Sequence, residues 1–135
     1  MKLITYLHFN GQCEEALNFY KTCFRGTILQ FSRMGDSPMP VPDSHKNKIM
    51  HARLKFGDNV IYLSDTLAGN ERTVGNNISL SLEINPPTKM DDLFARLSDG
   101  GKIIMPLQDT FWNARFGQFV DKFGVHWMMN CELKK

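Results

Sequence analysis

Residues 3–9, LITYLHF, have the β-branched and aromatic content of a strand, after which the apolar positions change period. In EEALNFYKTCF, Ala16, Phe19, Tyr20, Cys23 and Phe24 recur at helical spacing, and Gly26 fits the C′ position that ends such a helix. TILQFSRM reads as a strand. The pattern then stops at GDSPMPVPDSHKNK, where three prolines among small and polar residues predict an exposed loop over 35–48. IMHARLKF and NVIYLSD follow as two strands joined across Gly57-Asp58, a connection short enough to make them a β-hairpin.

After LAGNERTVGN, the stretch NISLSLEI alternates Ile78, Leu80, Leu82 and Ile84 with Asn77, Ser79, Ser81 and Glu83, which predicts a strand with one apolar and one polar face. Pro86-Pro87 stops it, and Thr88 with Asp91 has the spacing of a capping box. Met90, Leu93, Phe94 and Leu97 form one helical stripe ending at Gly100-Gly101, and KIIMPLQDT, ARFGQFVDK and VHWMMNCE read as the last three strands. Each half is therefore strand, helix, strand, strand, strand. Residues 1–66 make one βαβββ module, 67–76 a linker and 77–135 the second module, a duplication too long in period for a solenoid array. In such a module the helix covers one sheet face and leaves the other free to line a cavity.

Composition narrows the classes. At 135 residues the chain holds one domain or two small modules. Sixteen Lys and Arg against fourteen Asp and Glu are interspersed, which excludes an electrostatic footprint for nucleic acid. No apolar run approaches the length of about 20 residues that crosses a bilayer, and MKLITYLHF lacks a signal-peptide cleavage site, so the expectation is a soluble cytoplasmic protein with no membrane partner. Cys13, Cys23 and Cys131 show no metal-binding spacing and read as reduced thiols. No nucleophile elbow, Walker loop, HExxH or dinucleotide fingerprint occurs.

LITYLHFNGQCEEALNFYKTCF (3–24) and LQDTFWNARFGQFVDKFGVHWMMNC (107–131) resemble the PhnB-like branch of the vicinal oxygen chelate superfamily, also called the glyoxalase/bleomycin resistance/dioxygenase superfamily. The TFW…FG…D.FGV.W..N pattern is specific to that branch. The resemblance implies an α+β fold in which two βαβββ modules form an incomplete barrel around a concave pocket, a homodimer, and a pocket-side loop 35–48 that serves as a candidate lid. Members also carry a demethylubiquinone methyltransferase label, but there is no Gly-rich turn between a strand and a helix to hold a nucleotide-like cofactor, and no cofactor is expected.

Metal enzymes of the superfamily chelate one divalent ion through four inward-facing side chains. Matching the first strand to the Phe19-Tyr20 pair places the first of those positions at Thr5, and the hairpin strand NVIYLSD, the strand after the linker and the last strand place the others at Tyr62, Asn77 and Met128. None is a histidine or a carboxylate, and a hard ion needs imidazole nitrogen or anionic oxygen, so the expected metal set is none. A slip of one residue would turn a side chain to the opposite face. The expected ligand contacts are Thr5, Tyr62, Asn77, Ser79, Trp112 and Met128.

Other candidates carry two readings each. His126 shares a face with Met128 and Asn130 and is either a proton carrier or a structural cavity-mouth residue. Trp112 either stacks on a ligand or packs in the core, where Phe111, Phe116 and Trp127 are expected. Arg53 shares a face with His51 and Lys55, as an anion clamp or as part of a solvated strand face. Cys13 opens a helix without an evident base and reads as structural. Together these point to a metal-independent binder of a small, partly apolar molecule. The alternative is an enzyme of the same superfamily with a displaced metal site, or with His126 or Tyr62 moving a proton. A structural or regulatory protein with an empty cavity is a third reading.

Overall fold

A computed structural model of the chain describes residues 1–133. It divides into two compact units, Met1–Thr73 and Val74–Lys135, so the boundary falls inside the expected linker. Residues after Asp65 stay with the first unit because the Asn10 side chain holds Arg72: Asn10 Nδ2 donates to the Arg72 carbonyl at 2.9 Å and Asn10 Oδ1 accepts from the Arg72 N–H at 2.9 Å.

The first unit runs β1 (Thr5–Phe9), α1 (Cys13–Phe24), β2 (Thr27–Arg33), β3 (Ile49–Phe56) and β4 (Asn59–Asp65). Its sheet has the order β1-β4-β3-β2, with β1 parallel to β4 and the other pairs antiparallel. Helix α1 carries Glu14 and Glu15 in its first turn and Lys21 in its last, which suits the helix dipole. Its buried stripe of Cys13, Ala16, Leu17, Tyr20 and Cys23 lies against the sheet face formed by Phe9, Ala52, Leu54, Ile61 and Leu63. The segment 35–48 expected to be a loop overlaps one short 3-10 turn, Met34–Asp36, and contains a second, Asp43–His45.

The buried Asp65 ties this unit together. Its Oδ1 accepts from the N–H groups of Gly11 and Cys13 at 3.0 and 2.9 Å, and its Oδ2 from that of Ile49 at 2.9 Å. Gln12, at the helix N-cap, makes no side-chain cap bond, so a carboxylate from the end of β4 satisfies the first N–H of α1. The left-handed residue that closes the helix is Arg25, at φ 53°, and not Gly26. Gly26 is needed for a different reason: a Cβ there would lie 2.7 Å from the Lys55 carbonyl oxygen.

The second unit runs β5 (Leu80–Glu83), α2 (Pro87–Leu97), β6 (Lys102–Asp109), β7 (Ala114–Val120) and β8 (His126–Glu132), in sheet order β5-β8-β7-β6. β5 is shorter than its alternation suggests, because only Leu80 to Glu83 find partners on β8 and Ile78 is 75% exposed. The expected stripe of Met90, Leu93, Phe94 and Leu97 is buried. The capping box at Thr88 and Asp91 does not form: the helix starts at Pro87, and Asp91 instead accepts from Arg115 Nε at 3.0 Å. Asp121 is this unit's buried anchor, accepting from the Phe123 and Val125 N–H groups at 2.9 and 3.1 Å and from Trp127 Nε1 at 2.9 Å. Those three hydrogen bonds tie the D.FGV.W block into a hairpin lock. Phe116 and Trp127 are buried as expected, whereas Phe111 is 97% exposed at the β6–β7 turn.

Candidate functional site

On the first sheet the side chains that point away from α1 form two adjacent polar rungs. Register sets Tyr6 beside Tyr62, Tyr62 beside Arg53, and Arg53 beside Gln30. In the next rung His8 pairs with Ser64 and His51 with Ser32. Strand alternation puts these even-numbered β1 and β4 residues on one face and the buried Leu63, Ile61 and Phe9 on the other.

The two rungs are cross-linked. Arg53 Nε donates to His51 Nε2 at 2.9 Å, which leaves the ring proton on Nδ1 in neutral His51, where it meets Tyr6 Oη at 2.8 Å. Tyr6 Oη thus accepts from His51, and its own hydrogen is free for an acceptor outside the trio. Arg53 also stacks its guanidinium over the Tyr62 ring at 4.4 Å, and Tyr62 meets His51 edge-on at 5.0 Å. Tyr6 stacks on His8 at 4.7 Å, and His8 Nδ1 lies 3.2 Å from Ser64 Oγ. Burial, reinforced by the Arg53 charge, holds the His51 pKa below the ordinary histidine value, and burial with Arg72 does the same for His8.

His8 and Ser64 lead from this face into a concavity of about 630 Å³, walled on its apolar side by Met34, Met39 and Met50, with Arg72 at its edge. Three thioethers make that wall deformable. Met39 comes from the segment 35–48, which therefore borders the concavity.

The expected ligand set is distributed as follows. Tyr62 lies on the polar face. Thr5 does not, because it pairs with Ile61 and shares the α1 side of the sheet; a one-residue difference through the turn at residues 10–12 reverses the face. Tyr6 and His8 are the β1 residues on the polar face instead. Met128, in the second unit, faces away from α2 beside Ser81 and Gln118. Asn77 and Ser79 are exposed and precede β5, outside the sheet. Trp112 is 52% exposed in the β6–β7 turn, its ring 5.0 Å from Phe111 and 5.9 Å from Phe116. His126 is half-buried on the Met128 face, opposite Val120. The buried Cys13 thiol is pushed far up by burial and by Asp65 and Glu14, which makes it inert.

The family model described as 3-demethylubiquinone-9 3-methyltransferase matches residues 1–130. Among solved structures, protein PA1353 of Pseudomonas aeruginosa is 41% identical, with 99% of each chain covered and a TM-score of 0.91. A PhnB protein from Bacillus cereus is 29% identical over 97% of this chain and 99% of its own, with a TM-score of 0.82. The chain belongs to the PhnB-like branch of the vicinal oxygen chelate superfamily. A glyoxalase/bleomycin resistance/dioxygenase domain from Frankia, 14% identical with a TM-score of 0.70 over 99% of this chain and 93% of its own, shares the fold. The α+β architecture of two βαβββ units is thus that of the superfamily.

The methyltransferase description implies a nucleotide-like methyl donor, and the turns here do not fit one. At the β1–α1 turn the N–H groups of Gly11 and Cys13 are already bonded to Asp65, and the β5–α2 turn contains Pro86 and Pro87, which have no N–H. For the superfamily's divalent ion the first-unit face offers one ring nitrogen, Nε2 of His8, that makes no hydrogen bond to a described residue. Both ring nitrogens of His51 are engaged, and Asp65 spends its oxygens on main-chain N–H groups. Among the described residues no three His, Cys, Asp or Glu converge on a point.

Proposed function

We propose that this PhnB-like protein is a metal-independent binder of a small, partly apolar molecule, which sits on the polar face of the first sheet and reaches into the methionine-walled concavity. The observation that carries this reading is the pair of cross-linked rungs, Tyr6-Tyr62-Arg53 and His8-Ser64-His51, beside a cavity of about 630 Å³. Pockets of this size, apolar with a few fixed polar groups, suit small ligands. A homodimer and a lid role for residues 35–48 belong to the same reading; an all-monomeric mass by light scattering at micromolar concentration removes the dimer.

The test is direct. After chelator treatment, thermal unfolding with and without Zn, Ni, Mn and Fe(II) is unchanged on this reading. A one-to-one metal at 100 times its Kd would add about 2.7 kcal/mol of stability, and that result overturns metal independence. Mass spectrometry of small molecules released on denaturation identifies the ligand class.

The Tyr6–His51 hydrogen bond of 2.8 Å favours a second reading, an enzyme that moves a proton through Tyr6. It differs from the first by predicting turnover, abolished in Tyr6→Phe, of whatever compound the protein binds.

A further inference from the structure

Most of the arginines in ion pairs serve the scaffold. Arg33 pairs with Glu14 at 2.8 Å, Arg96 with Asp92 at 2.8 Å, and Arg115 with Asp91 at 2.9 Å. Arg53 is half-buried and differs from these, since no carboxylate lies within ion-pair distance of it among the described residues. It is nonetheless fixed. Its Nε is held by His51, its plane by the Tyr62 ring, and its two terminal nitrogens make no hydrogen bond to a described residue.

A guanidinium oriented through Nε and through its π face presents its terminal N–H groups as a preformed fork, the geometry that matches two oxygens of one anion. Leaving such a charge half-buried without a counter-ion is costly in a scaffold and useful in a site. The neighbouring groups are also neutral or donating. His51 is fixed as a neutral ring by the bond it accepts, Tyr6 keeps its hydroxyl hydrogen for an outside acceptor, and Ser64 and Gln30 carry no charge. The nearby carboxylate, Asp65, is occupied by three main-chain N–H groups, and Glu71 lies at the rim of the concavity with Arg72.

We propose that this face is an oxyanion site, in which the terminal N–H groups of Arg53 grip a carboxylate or phosphoryl group of the ligand and the Tyr6 hydroxyl supplies a further donor. The apolar part of the ligand then lies towards Met34, Met39 and Met50. The inference rests on the reading of this face as the ligand site and adds the charge of what it binds.

Isothermal titration of the full chain with 2-naphthoate, 2-naphthyl phosphate and the uncharged 2-naphthamide tests it, alongside Arg53→Met, Arg53→Lys and Tyr6→Phe. The anions bind the native protein at least tenfold more tightly than the amide, and the better of the two anions distinguishes carboxylate from phosphoryl recognition. Arg53→Met loses roughly tenfold to a hundredfold towards the anions, the size of a charge-assisted hydrogen bond, and keeps its affinity for the amide. Arg53→Lys loses nearly as much because an ammonium neither forks nor stacks flat on Tyr62. Tyr6→Phe loses about threefold to tenfold. Melting curves of the variants confirm that they are folded. Equal binding of anion and amide, unchanged in Arg53→Met, overturns the oxyanion site while the pocket stands. Failure of all three probes to bind overturns both.

Discussion

Gly26 and Gly101 occupy the same corner of their respective units, between the helix and the strand that follows it. Each next residue, Thr27 or Lys102, pairs with Lys55 or Val120. In both corners the helix exit crosses so close to the carbonyl of that partner that a side chain has no room. Each unit also has one buried aspartate whose carboxylate takes three N–H groups. The open faces are unlike. The first sheet sets a cation and two imidazoles among phenols and hydroxyls, while the second aligns Ser81, Met128 and Gln118 in one rung and Glu83, Asn130 and Phe116 in the next, with Asn130 bonded to Glu83 at 3.1 Å. Main-chain geometry is held in common, and the side chains turned away from the helix carry the difference.

The largest effects belong to the shared scaffold. Asp65→Ala and Asp121→Ala each strand three hydrogen-bond donors, two of them main-chain N–H groups of one turn, and each is expected to cost about 4 kcal/mol in urea unfolding. Gly101→Ala follows at about 3 kcal/mol, since its Cβ would meet the Val120 oxygen at 2.1 Å. Gly26→Ala, at 2.7 Å from Lys55, is expected to cost about 1–2 kcal/mol. A reversed order of the two glycine variants would break the correspondence between the corners.

The same comparison explains what was legible in the chain. Stripes such as Met90, Leu93, Phe94 and Leu97 are local, and so is the two-residue hairpin at Gly57-Asp58, so both helices and the element order follow from spacing. Faces are less local. Thr5 was expected in the pocket by counting from Phe19-Tyr20 through the turn at residues 10–12, and one residue in that turn exchanges Thr5 for Tyr6 and His8. β5 looked longer because Ile78 continues an alternation that has no strand to pair with. The Arg53–His51 face is visible as a candidate, but its meaning depends on Tyr6, which reaches Tyr62 and through it Arg53 by the parallel pairing of β1 with β4. That pairing joins residues more than fifty positions apart, so no single segment encodes it. Phe111 follows the aromatic content of its neighbours yet lies in a turn and is 97% exposed.

A middle-sized effect comes from pH and is specific to the first unit's face. His8 and His51 both have pKa values lowered in the fold, so the unfolded chain binds their protons more readily. Their contribution to stability is full above about pH 6.5 and is lost as the pH falls through their lowered folded values. Urea melts between pH 7.5 and 5 should show stability declining with acidification, and a His8→Gln, His51→Gln double variant should flatten that slope. An unchanged slope would mean that the histidine face is not coupled to folding.

The smallest effects are expected on the second unit's surface, and they sharpen the contrast most. Phe111 buries almost nothing, so Phe111→Ser should shift unfolding by no more than about 0.5 kcal/mol. Gln118 stands on the open face beside Met128, in the rung that corresponds in position to Tyr62 and Arg53 on the first sheet. If recognition of an anion depends on the first sheet's charged rungs, Gln118→Leu should change 2-naphthoate affinity by less than twofold, where Arg53→Met changes it at least tenfold. Losses of similar size in both variants would mean that anion recognition does not depend on the first sheet's charged rungs.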